Sequence, residues 1–345
     1  MKIIRMVDVD DMEDIAIGGA VLGTGGGGDP YVGKLMAQQA IRKHGPVKLM
    51  DVMDLADDAL VVPVCMMGAP TVMTEKLPQG DELMNAFRAL EAVLGRKIDA
   101  VLCGEAGGVN STTPFVVAAA SGLPLIDGDG MGRAYPELQM VTFTLHGVSA
   151  TPMVLCDDKG NSLVLDTVSN AWTERLARAA TIEMGGSALL AFYPMSGAVA
   201  KKAVVAGTLS LCARIGETLR AARAEHADPV KALVGLLGAK TLFHGRMMDI
   251  ERRTEGGFAR GKATLAGVEE WKGQSLRLDF QNEFLIAVVE ADSGAPVTTD
   301  SLKYGQRLIA LAWPCNPLWR TPEGIELVGP RYFKYDRDYV PFEQV

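Results

Sequence analysis

Cationic residues are in deficit in this sequence, and long apolar segments are missing from it. The 345 residues include 34 Lys and Arg but 42 Asp and Glu, which gives a formal net charge of −8. Because nucleic acids and anionic membranes attract cationic surfaces, this balance argues against both as main partners. No apolar run is long enough to span a bilayer, and the first residues lack the apolar core of a signal peptide. We therefore expect a cytoplasmic protein.

Paired cysteines and histidine clusters are missing as well. The sequence has five cysteines, an odd number, and no two of them form a C-x-x-C pair. They are Cys65, Cys103, Cys156, Cys212 and Cys315. This pattern argues against a disulfide framework or a zinc ribbon, and it is typical of a reducing compartment. The histidines do not have the spacing of zinc ligands either. The identity of any cofactor is therefore open at this point.

The length exceeds what one ordinary core holds, so we predict two domains, residues 1–238 and 239–345. In the first, apolar runs typical of buried strands alternate with helical patterns. The runs cover residues 47–50, 60–65, 100–103 and 124–127, and the helical patterns cover residues 81–94, 113–121, 169–185 and 203–224. This alternation predicts an α/β fold with an open, mainly parallel sheet in a three-layer sandwich. Such sheets bind ligands at the carboxyl ends of their strands.

The second domain has a different pattern. Apolar and polar residues alternate over residues 276–280, which predicts half-buried strands. We expect a smaller antiparallel, β-barrel-like domain there. Gln281, Asn282 and Glu283 interrupt the alternation. Three adjacent polar side chains in a strand mark either a bulge or the edge of a binding site between the domains.

The segment GTGGGGDP at residues 23–30, here called the glycine loop, is the most unusual local feature. It contains the G-x-G-x-x-G spacing of a dinucleotide-binding fingerprint, and Asp51 follows where a ribose-binding acid belongs. That fingerprint requires a preceding strand. The acids at residues 10–14 instead predict a helix start, with a helix over residues 15–22. A nicotinamide-dependent oxidoreductase therefore remains an alternative only if residues 15–22 form a strand.

The glycine loop can also build an anion site by itself. Asp29 is a good N-cap and Pro30 suits the first position of a helix over residues 31–43. Glycines before a helix start let backbone N–H groups point at an anion, or at a carbonyl that gains negative charge. We therefore predict substrate binding by Gly25, Gly26, Gly27, Gly28 and Asp29. The alternative is that Asp29 only satisfies the helix end and the glycines only turn the chain.

Three further polar loops follow predicted strands, at residues 65–70, 103–111 and 127–133. Because strand ends converge at one edge of such a sheet, we expect these loops to share a site. Glu105, Asp127 and Asp129 are the candidates for general acid and base, and together they can also hold a divalent cation. The alternative for Asp127 and Asp129 is that they only form Asx turns.

Other side chains in these loops complete the predicted site. Asn110 can donate to a developing oxyanion, and Arg133 can bind a substrate carboxylate through a bidentate contact. The alternative for Arg133 is a structural ion pair. Cys103 at a strand end is either an activated nucleophile or, as is more common, a small buried apolar residue.

These motifs together resemble one family. Six motifs carry the resemblance: LGTGGGGDP (22–30), EAGGVNS (105–111), GLPLIDGD with GRAYPE (122–129 and 132–137), GFARG (257–261), FQNE (280–283) and VGPR (328–331). They are similar to those of the S-methyl-thiohydantoin desulfurase-like family, over nearly the whole chain. The resemblance implies an α/β sandwich domain followed by a β-barrel-like domain. It also implies hydrolytic loss of methanethiol from an S-methylated thiohydantoin ring, and an association with hydantoinases.

One segment departs from the family pattern. Family members commonly carry a longer hairpin between the positions of Ile286 and Thr298, where this chain has only residues 287–297. If that hairpin shapes the pocket, the substrate differs from that of the family or the activity is lost.

The favoured hypothesis is a hydrolase that acts on a hydantoin-like or S-methylthiohydantoin ring. In it a strand-end carboxylate activates water, and glycine-loop N–H groups stabilise developing charge. The alternative is a non-catalytic partner subunit of a hydantoinase. We expect a small-molecule substrate, and either a hydantoinase or a second copy of this chain as a protein partner.

Overall fold

The computed structural model of the chain describes residues 3–69, 72, 76–255, 258–267, 275–279, 285–299 and 301–344. Its N-terminal two-thirds contain eleven described strands: β1 Ile3–Val7, β2 Val47–Met50, β3 Leu60–Gly68, β4 Ala100–Cys103, β5 Leu125–Ile126, β6 Gly128–Asp129, β7 Met153–Cys156, β8 Ser162–Leu165, β9 Ser187–Ala191, β10 Met195–Ser196 and β11 Val205–Ala206. The apolar runs that predicted strands at residues 47–50 and 100–103 have the observed bounds. Nine of these strands form one sheet, and β6 pairs separately with β11.

The large sheet has the strand order β1-β2-β5-β4-β3-β9-β7-β8, with β10 also paired to β3. The neighbours β2, β5, β4 and β3 are parallel, and every other pair is antiparallel. Following these directions across the sheet, β2, β3, β4, β5 and β7 run one way and β1, β8, β9 and β10 run the other. The described sheet is therefore mixed, with a slight majority of strands in one direction and a parallel centre.

The helices are α1 Asp11–Leu22, α2 Tyr31–His44, α3 Glu82–Leu94, α4 Thr113–Ser121, α5 Thr142–Leu145, α6 Asn170–Glu183, α7 Gly197–Ala203, α8 Thr208–Ala224, α9 Pro229–Leu237 and, near the C-terminus, α10 Pro322–Val328. Alternate residues of the central strands enter two separate apolar clusters. Val101 lies in one cluster, and Ala100 and Leu102 lie in the other. Strands buried on both faces read as continuous apolar runs, which is why they were visible in the sequence. This confirms the α/β sandwich.

One predicted helix start agrees with the structure and one was wrong. Helix α3 follows Asp81 and ends before Gly95, as the pattern over residues 81–94 predicts, and the Glu82 carboxylate accepts the N–H groups of Gln79 and Gly80 at 2.6 and 2.8 Å. The helix predicted over residues 203–224 starts only at Thr208. Gly207 precedes it with a φ of 80°, a left-handed conformation that ends the preceding segment.

The C-terminal part contains an antiparallel sheet of β12 Lys240–Glu255, β13 Phe258–Gly267, β14 Ser275–Asp279, β15 Leu285–Glu290 and β16 Arg307–Trp313. Its order is β14-β13-β12-β16-β15, and within the described segments no pairing joins the two ends. The predicted antiparallel β structure is thus confirmed, as an open sheet. Ala287, Leu311 and Trp319 share an apolar cluster with residues of α1 and α8. The domain boundary at residue 239 stays a prediction.

Helices α1 and α8 approach closely through glycines. A Cβ on Gly216 of α8 would lie 2.3 Å from Asp14 Cα, and one on Gly18 of α1 would lie 2.0 Å from the Cys212 carbonyl oxygen. Both values are below any real Cβ contact. The two helices can therefore pack this closely only because Gly18 and Gly216 have no side chain. The Arg220 guanidinium also forms an ion pair with Asp14 at 2.6 Å.

We expect Gly216→Ala to destabilise the fold by about 2–3 kcal/mol, because the added methyl group forces two backbones apart. The matched control is Gly235→Ala in α9, where a Cβ meets nothing within 4 Å. Replacing an exposed helical glycine by alanine stabilises by up to about 1 kcal/mol. Urea unfolding of the two variants measures the difference, and equal effects of both substitutions would contradict the close helix contact.

Among the described residues, none of the helices combines the length and apolarity that a membrane crossing requires.

Candidate active site

The glycine loop follows a helix, not a strand. Helix α1 ends at Leu22, and the Gly23 N–H donates to the Gly19 carbonyl at 2.8 Å, which completes the last turn. A dinucleotide-binding fingerprint requires a strand at this place. The oxidoreductase alternative, and with it a ribose-binding role for Asp51, is therefore wrong.

The glycine loop packs backbone to backbone against the turn at Gly107 and Gly108. The Val109 N–H donates to the Gly27 carbonyl at 2.9 Å. A Cβ on Gly108 would lie 2.2 Å from the Gly27 carbonyl carbon, and one on Gly27 would lie 2.6 Å from the Gly107 carbonyl oxygen. Both glycines also have positive φ, 73° at Gly27 and 56° at Gly108. They are thus required for the close approach of two of the predicted site loops.

Several polar groups of the glycine loop are engaged within the protein. The Gly26 N–H donates to the Gly23 carbonyl at 2.8 Å, and the Gly25 carbonyl accepts the Thr299 N–H at 3.0 Å. The Gly26 N–H is therefore not directed at a ligand in this conformation. Anion binding by Gly25 to Gly28 stays a prediction.

Asp29 binds the start of helix α2 from the position before the N-cap residue, which is Pro30, so the predicted N-cap position is off by one residue. Its exposed carboxylate accepts the Tyr31 N–H at 2.9 Å. The helix begins at Tyr31, so Pro30 flanks it rather than occupying its first position. Asp29 satisfies the helix end itself, which matches the structural alternative for this residue.

Glu105 lies in the loop after β4 and is 7% exposed. One carboxylate oxygen accepts the Asn110 side-chain N–H at 2.9 Å, and the other accepts the Tyr135 N–H at 3.1 Å. Burial raises the pKa of Glu105 to about 7, although both hydrogen bonds and the charge of Arg133 favour the ionised form. The result is an oriented acid that is half ionised near neutral pH, as a general base requires.

Asn110 joins the ends of β3 and β4. Its side-chain oxygen accepts the Met66 N–H at 2.7 Å, and its amide donates to the Met66 carbonyl at 3.1 Å as well as to Glu105. Both amide hydrogens therefore have acceptors in this structure. In this arrangement Asn110 orients the Glu105 carboxylate, and its predicted role as an oxyanion donor stays a prediction.

Arg133 connects the glycine loop to this acid. Its Nη2 donates to the Thr24 hydroxyl at 3.1 Å, and the guanidinium carbon lies 4.8 Å from the centre of the Tyr135 ring. Its charge acts to lower the pKa of Glu105. The four buried residues Thr24, Glu105, Asn110 and Arg133 form what we call the Glu105 cluster. It brings together residues from three of the predicted loops.

Thr24 is a member that the sequence did not single out. It has a φ of 51°, a left-handed conformation that is strained for a β-branched residue. Its side chain is buried against Arg133, 109 residues away in the chain. The one sequence signal for a special role of Thr24 was its position: it is the only side-chain-bearing residue among the glycines of residues 23–28, where a left-handed backbone favours glycine.

The two aspartates serve the backbone. The fully buried Asp129 carboxylate accepts the N–H groups of Ala106, Met131 and Gly132 at 2.7 to 3.1 Å. Burial raises the pKa of Asp129 to about 6, against the effect of these donors. Its bonds to Met131 and Gly132 match the Asx-turn alternative, while its bond to Ala106 fixes the Glu105 loop.

Asp127 holds the start of helix α8. Its carboxylate accepts the Ser210 N–H at 2.9 Å and its carbonyl accepts the Gly207 N–H at 2.8 Å. Burial raises the pKa of Asp127 above its ordinary value. The acidic group at a helix N-terminus stabilises that helix. A catalytic role of Asp127 or Asp129 is not needed to explain their positions.

The predicted cation site is not formed. Among the described residues, no three His, Cys, Asp or Glu side chains are grouped to hold a metal ion. The reason is local, since the oxygens of Asp129 are occupied by backbone donors and Asp127 is turned to α8. The idea that Glu105, Asp127 and Asp129 share a divalent cation was therefore wrong.

Cys103 is a buried apolar residue. Its Sγ lies 3.2 Å from the Asn110 carbonyl, to which it donates, and burial raises its pKa well above the ordinary value. Its burial and this hydrogen bond match the alternative of a small buried apolar residue, because a thiol held protonated is a poor nucleophile. Gln281, Asn282 and Glu283 lie outside the described residues.

The buried acids make a prediction about pH. Below their ordinary pKa values, Glu105 and Asp129 are neutral in both the folded and the unfolded chain. Above those values the unfolded chain loses the two protons first, because burial raises both pKa values in the folded chain. The free energy of unfolding should therefore fall as the pH rises through about 6 and 7. For Glu105 alone the fall is about 3 kcal/mol between pH 4 and pH 8.

Urea unfolding of wild type and Glu105→Gln at pH 4, 6 and 8 isolates this contribution. We expect the stability of wild type relative to the variant to drop by that amount over the range, because glutamine does not ionise. A difference that stays constant with pH would show that Glu105 ionises at its ordinary pKa.

Comparisons with known proteins agree with this architecture. A model of the S-Me-THD-like N-terminal domain matches residues 10–167, and a model of the S-Me-THD-like C-terminal domain matches residues 168–342. A crystal structure of a protein from Chromobacterium violaceum superposes with a TM-score of 0.79 at 24% identity, over 98% of this chain and 99% of that one. At this identity the likeness supports the fold alone. The comparison with curated proteins gave no match.

Proposed function

The chain belongs to the S-Me-THD-like family, and from this premise we propose that it is a hydrolase of S-methylated thiohydantoin or similar hydantoin-like rings, with Glu105 as general base. The observation that carries the proposal is the Glu105 carboxyl itself. It is buried after β4, fixed through both oxygens, and has its pKa raised to about 7. Groups with a pKa near the working pH are the most effective proton acceptors.

The proposed reaction has two steps. The ionised Glu105 takes a proton from water while the water oxygen bonds to the ring carbon that carries the S-methyl group. The carbon–sulfur bond then breaks, and the leaving sulfur receives the proton back from Glu105. The balance is ring N=C–SCH₃ plus water to ring NH–C=O and methanethiol: one water proton leaves on sulfur through Glu105, and the other passes from the added hydroxyl to the ring nitrogen, which took up the electrons of the C=N bond. One group with a pKa near 7 can serve in both directions.

The other members of the Glu105 cluster have supporting roles in this proposal. Asn110 and the Tyr135 N–H hold the carboxylate in one orientation, which limits the reorganisation needed in the transition state. Arg133 supplies a buried positive charge beside the glycine loop, where negative charge on the ring can be stabilised. Glycine-loop N–H groups are the proposed second source of that stabilisation.

The test is release of thiol by the purified chain from S-methylthiohydantoins, followed with a thiol-reactive dye and by detection of the hydantoin product. We expect equal amounts of thiol and hydantoin, in proportion to the enzyme added. Thiol release no faster than the uncatalysed rate, for a chain shown to be folded, would contradict the proposal.

A further inference from the structure

Trp319 reaches the candidate site from the C-terminal part of the chain. It lies in the short 3-10 helix Pro317–Arg320 and is 2% exposed. Its indole N–H donates to the Met131 carbonyl, 188 residues away in the chain, at 2.7 Å. The indole also packs edge to face against the Tyr135 ring, with the ring centres 5.1 Å apart. Both contacts are made with residues 131–135, here called the Arg133 segment.

The contact with Tyr135 leads directly to the proposed base. The Tyr135 N–H donates to one oxygen of Glu105 at 3.1 Å. The ring of the same residue lies 4.8 Å from the guanidinium carbon of Arg133. Tyr135 therefore contacts Trp319 and Arg133 with its ring and holds Glu105 with its backbone. A displacement of this ring moves both charged members of the Glu105 cluster.

The contact with Met131 leads to Glu105 by a second path. The Met131 N–H donates to one oxygen of the Asp129 carboxylate at 3.1 Å, and the same oxygen accepts the Ala106 N–H at 2.7 Å. Asp129 and Trp319 therefore bind the two backbone polar groups of Met131. Because Ala106 follows Glu105 directly in the chain, this path also ends at the proposed base.

Trp319 is itself held in place. The Thr321 hydroxyl donates to the Leu318 carbonyl at 3.0 Å and accepts the Gly324 N–H at 3.1 Å. Helix α10 lies close behind, since a Cβ on Gly324 would be 2.8 Å from the Trp319 Cα. These contacts on its C-terminal side restrict the backbone of Trp319. A support of this kind can keep reacting groups in place without reorganisation.

We propose that Trp319 is a positioning residue for the reaction at Glu105, because it fixes the Arg133 segment and, through it, the N–H groups that orient the Glu105 carboxyl. The kinetic part of this inference rests on the proposed function, whereas the placement of the N–H groups does not. Without the indole N–H, the Met131 carbonyl loses this donor and the segment loosens. A small misplacement of a reacting group lowers turnover although every reacting group is still present.

Amide hydrogen exchange tests the placement without any substrate. Trp319→Phe keeps an aromatic ring and removes the indole N–H. We expect the Tyr135 and Ala106 amides to exchange about tenfold faster than in wild type, since the loss of a buried hydrogen bond favours local opening. Trp313→Phe is the matched control, because Trp313 is also buried but lies in β16, opposite Leu285. It should leave both amides as protected as in wild type.

Turnover of S-methylthiohydantoin supplies the kinetic test. Trp319→Phe should lower kcat about 10- to 100-fold and leave KM within about threefold, because Trp319 acts through the Arg133 segment and not on the substrate. Trp313→Phe should leave kcat within about twofold of wild type. Tyr135→Leu removes the ring that Trp319 contacts but keeps the N–H group. It should accelerate the same exchange, and it replaces Trp319→Phe if that variant does not fold.

The outcomes separate this proposal from the proposed function. Unchanged exchange in Trp319→Phe, or equal acceleration in Trp313→Phe, would overturn the positioning role. An unchanged kcat in Trp319→Phe, in a chain that turns over the substrate, would overturn it as well. Faster exchange in Trp319→Phe alone, with no turnover even in wild type, would support the placement by Trp319 and reject the proposed function instead.

Discussion

We expect Glu105→Gln to lower kcat for methanethiol release by about 10²- to 10⁴-fold, the usual contribution of a positioned general base. Glutamine preserves the size of the side chain, but its single carbonyl oxygen can accept only one of the two N–H groups, from Asn110 and from Tyr135, that the carboxylate accepts. It cannot accept a proton from water. The loss should fall on kcat and kcat/KM alike, because the interaction is made in the transition state.

The matched control for this variant is Glu183→Gln. Glu183 is exposed at the end of α6, far in sequence from every member of the Glu105 cluster. The Glu183→Gln substitution removes the same charge, but from the surface, and should leave kcat within about twofold of wild type. If Glu105→Gln retains full turnover, Glu105 is not the base and the proposed mechanism is wrong.

The second large effect is expected at the contact between the two site loops. Gly108→Ala should destabilise the fold by about 3–5 kcal/mol. Its Cβ would lie 2.2 Å from both the carbon and the oxygen of the Gly27 carbonyl, so two backbone segments must separate. The left-handed φ of 56° adds about 1–2 kcal/mol for any residue with a side chain.

Gly95→Ala separates these two causes. Gly95 ends α3 with a φ of 62°, yet a Cβ there meets nothing within 4 Å. This variant should lose only the conformational part, about 1–2 kcal/mol. The difference in urea unfolding between the two variants therefore measures the loop contact. Equal losses would mean that the glycine loop and the Gly107–Gly108 turn are not packed as described.

Much of the fold could be predicted from local sequence. Strands buried on both faces are apolar without interruption, so β2 and β4 were found with their observed bounds. Helix α1 was predicted from the acids before residues 15–22, and this removed the dinucleotide interpretation. The start of α8 was missed because it depends on Asp127, which lies 83 residues before Ser210.

The site was harder to predict for the same reason. The bond from the Tyr31 N–H to Asp29 could be predicted, because the two residues are two positions apart, although the N-cap residue of α2 is Pro30 and not Asp29. The partners of Asn110 and Arg133 lie 44 and 109 residues away, at Met66 and Thr24. From residue type alone, Glu105, Asp127 and Asp129 were equally good candidates for the general acid or base. Only the fold shows that Asp127 and Asp129 accept backbone N–H groups, while Glu105 is held by Asn110 and one N–H.

The glycine loop shows both the strength and the limit of the pattern. Its sequence was recognised as unusual, and the loop does contribute Thr24 to the Glu105 cluster. The reason that residue 27 must be glycine is nevertheless not an exposed N–H group. A Cβ at this position would lie 2.6 Å from the carbonyl oxygen of Gly107, which leaves no room for a side chain. A close approach between segments 80 residues apart is invisible until both are placed.

The dependence of kcat/KM on pH tests the central claim most directly. If Glu105 is a general base with its pKa raised to about 7 by burial, kcat/KM for thiol release should rise with pH and reach half its plateau near pH 7. Glu105→Gln should lose this rise along with the rate. A profile that is flat from pH 5 to pH 9 in wild type, or a rise near pH 7 that persists in Glu105→Gln, would contradict the account.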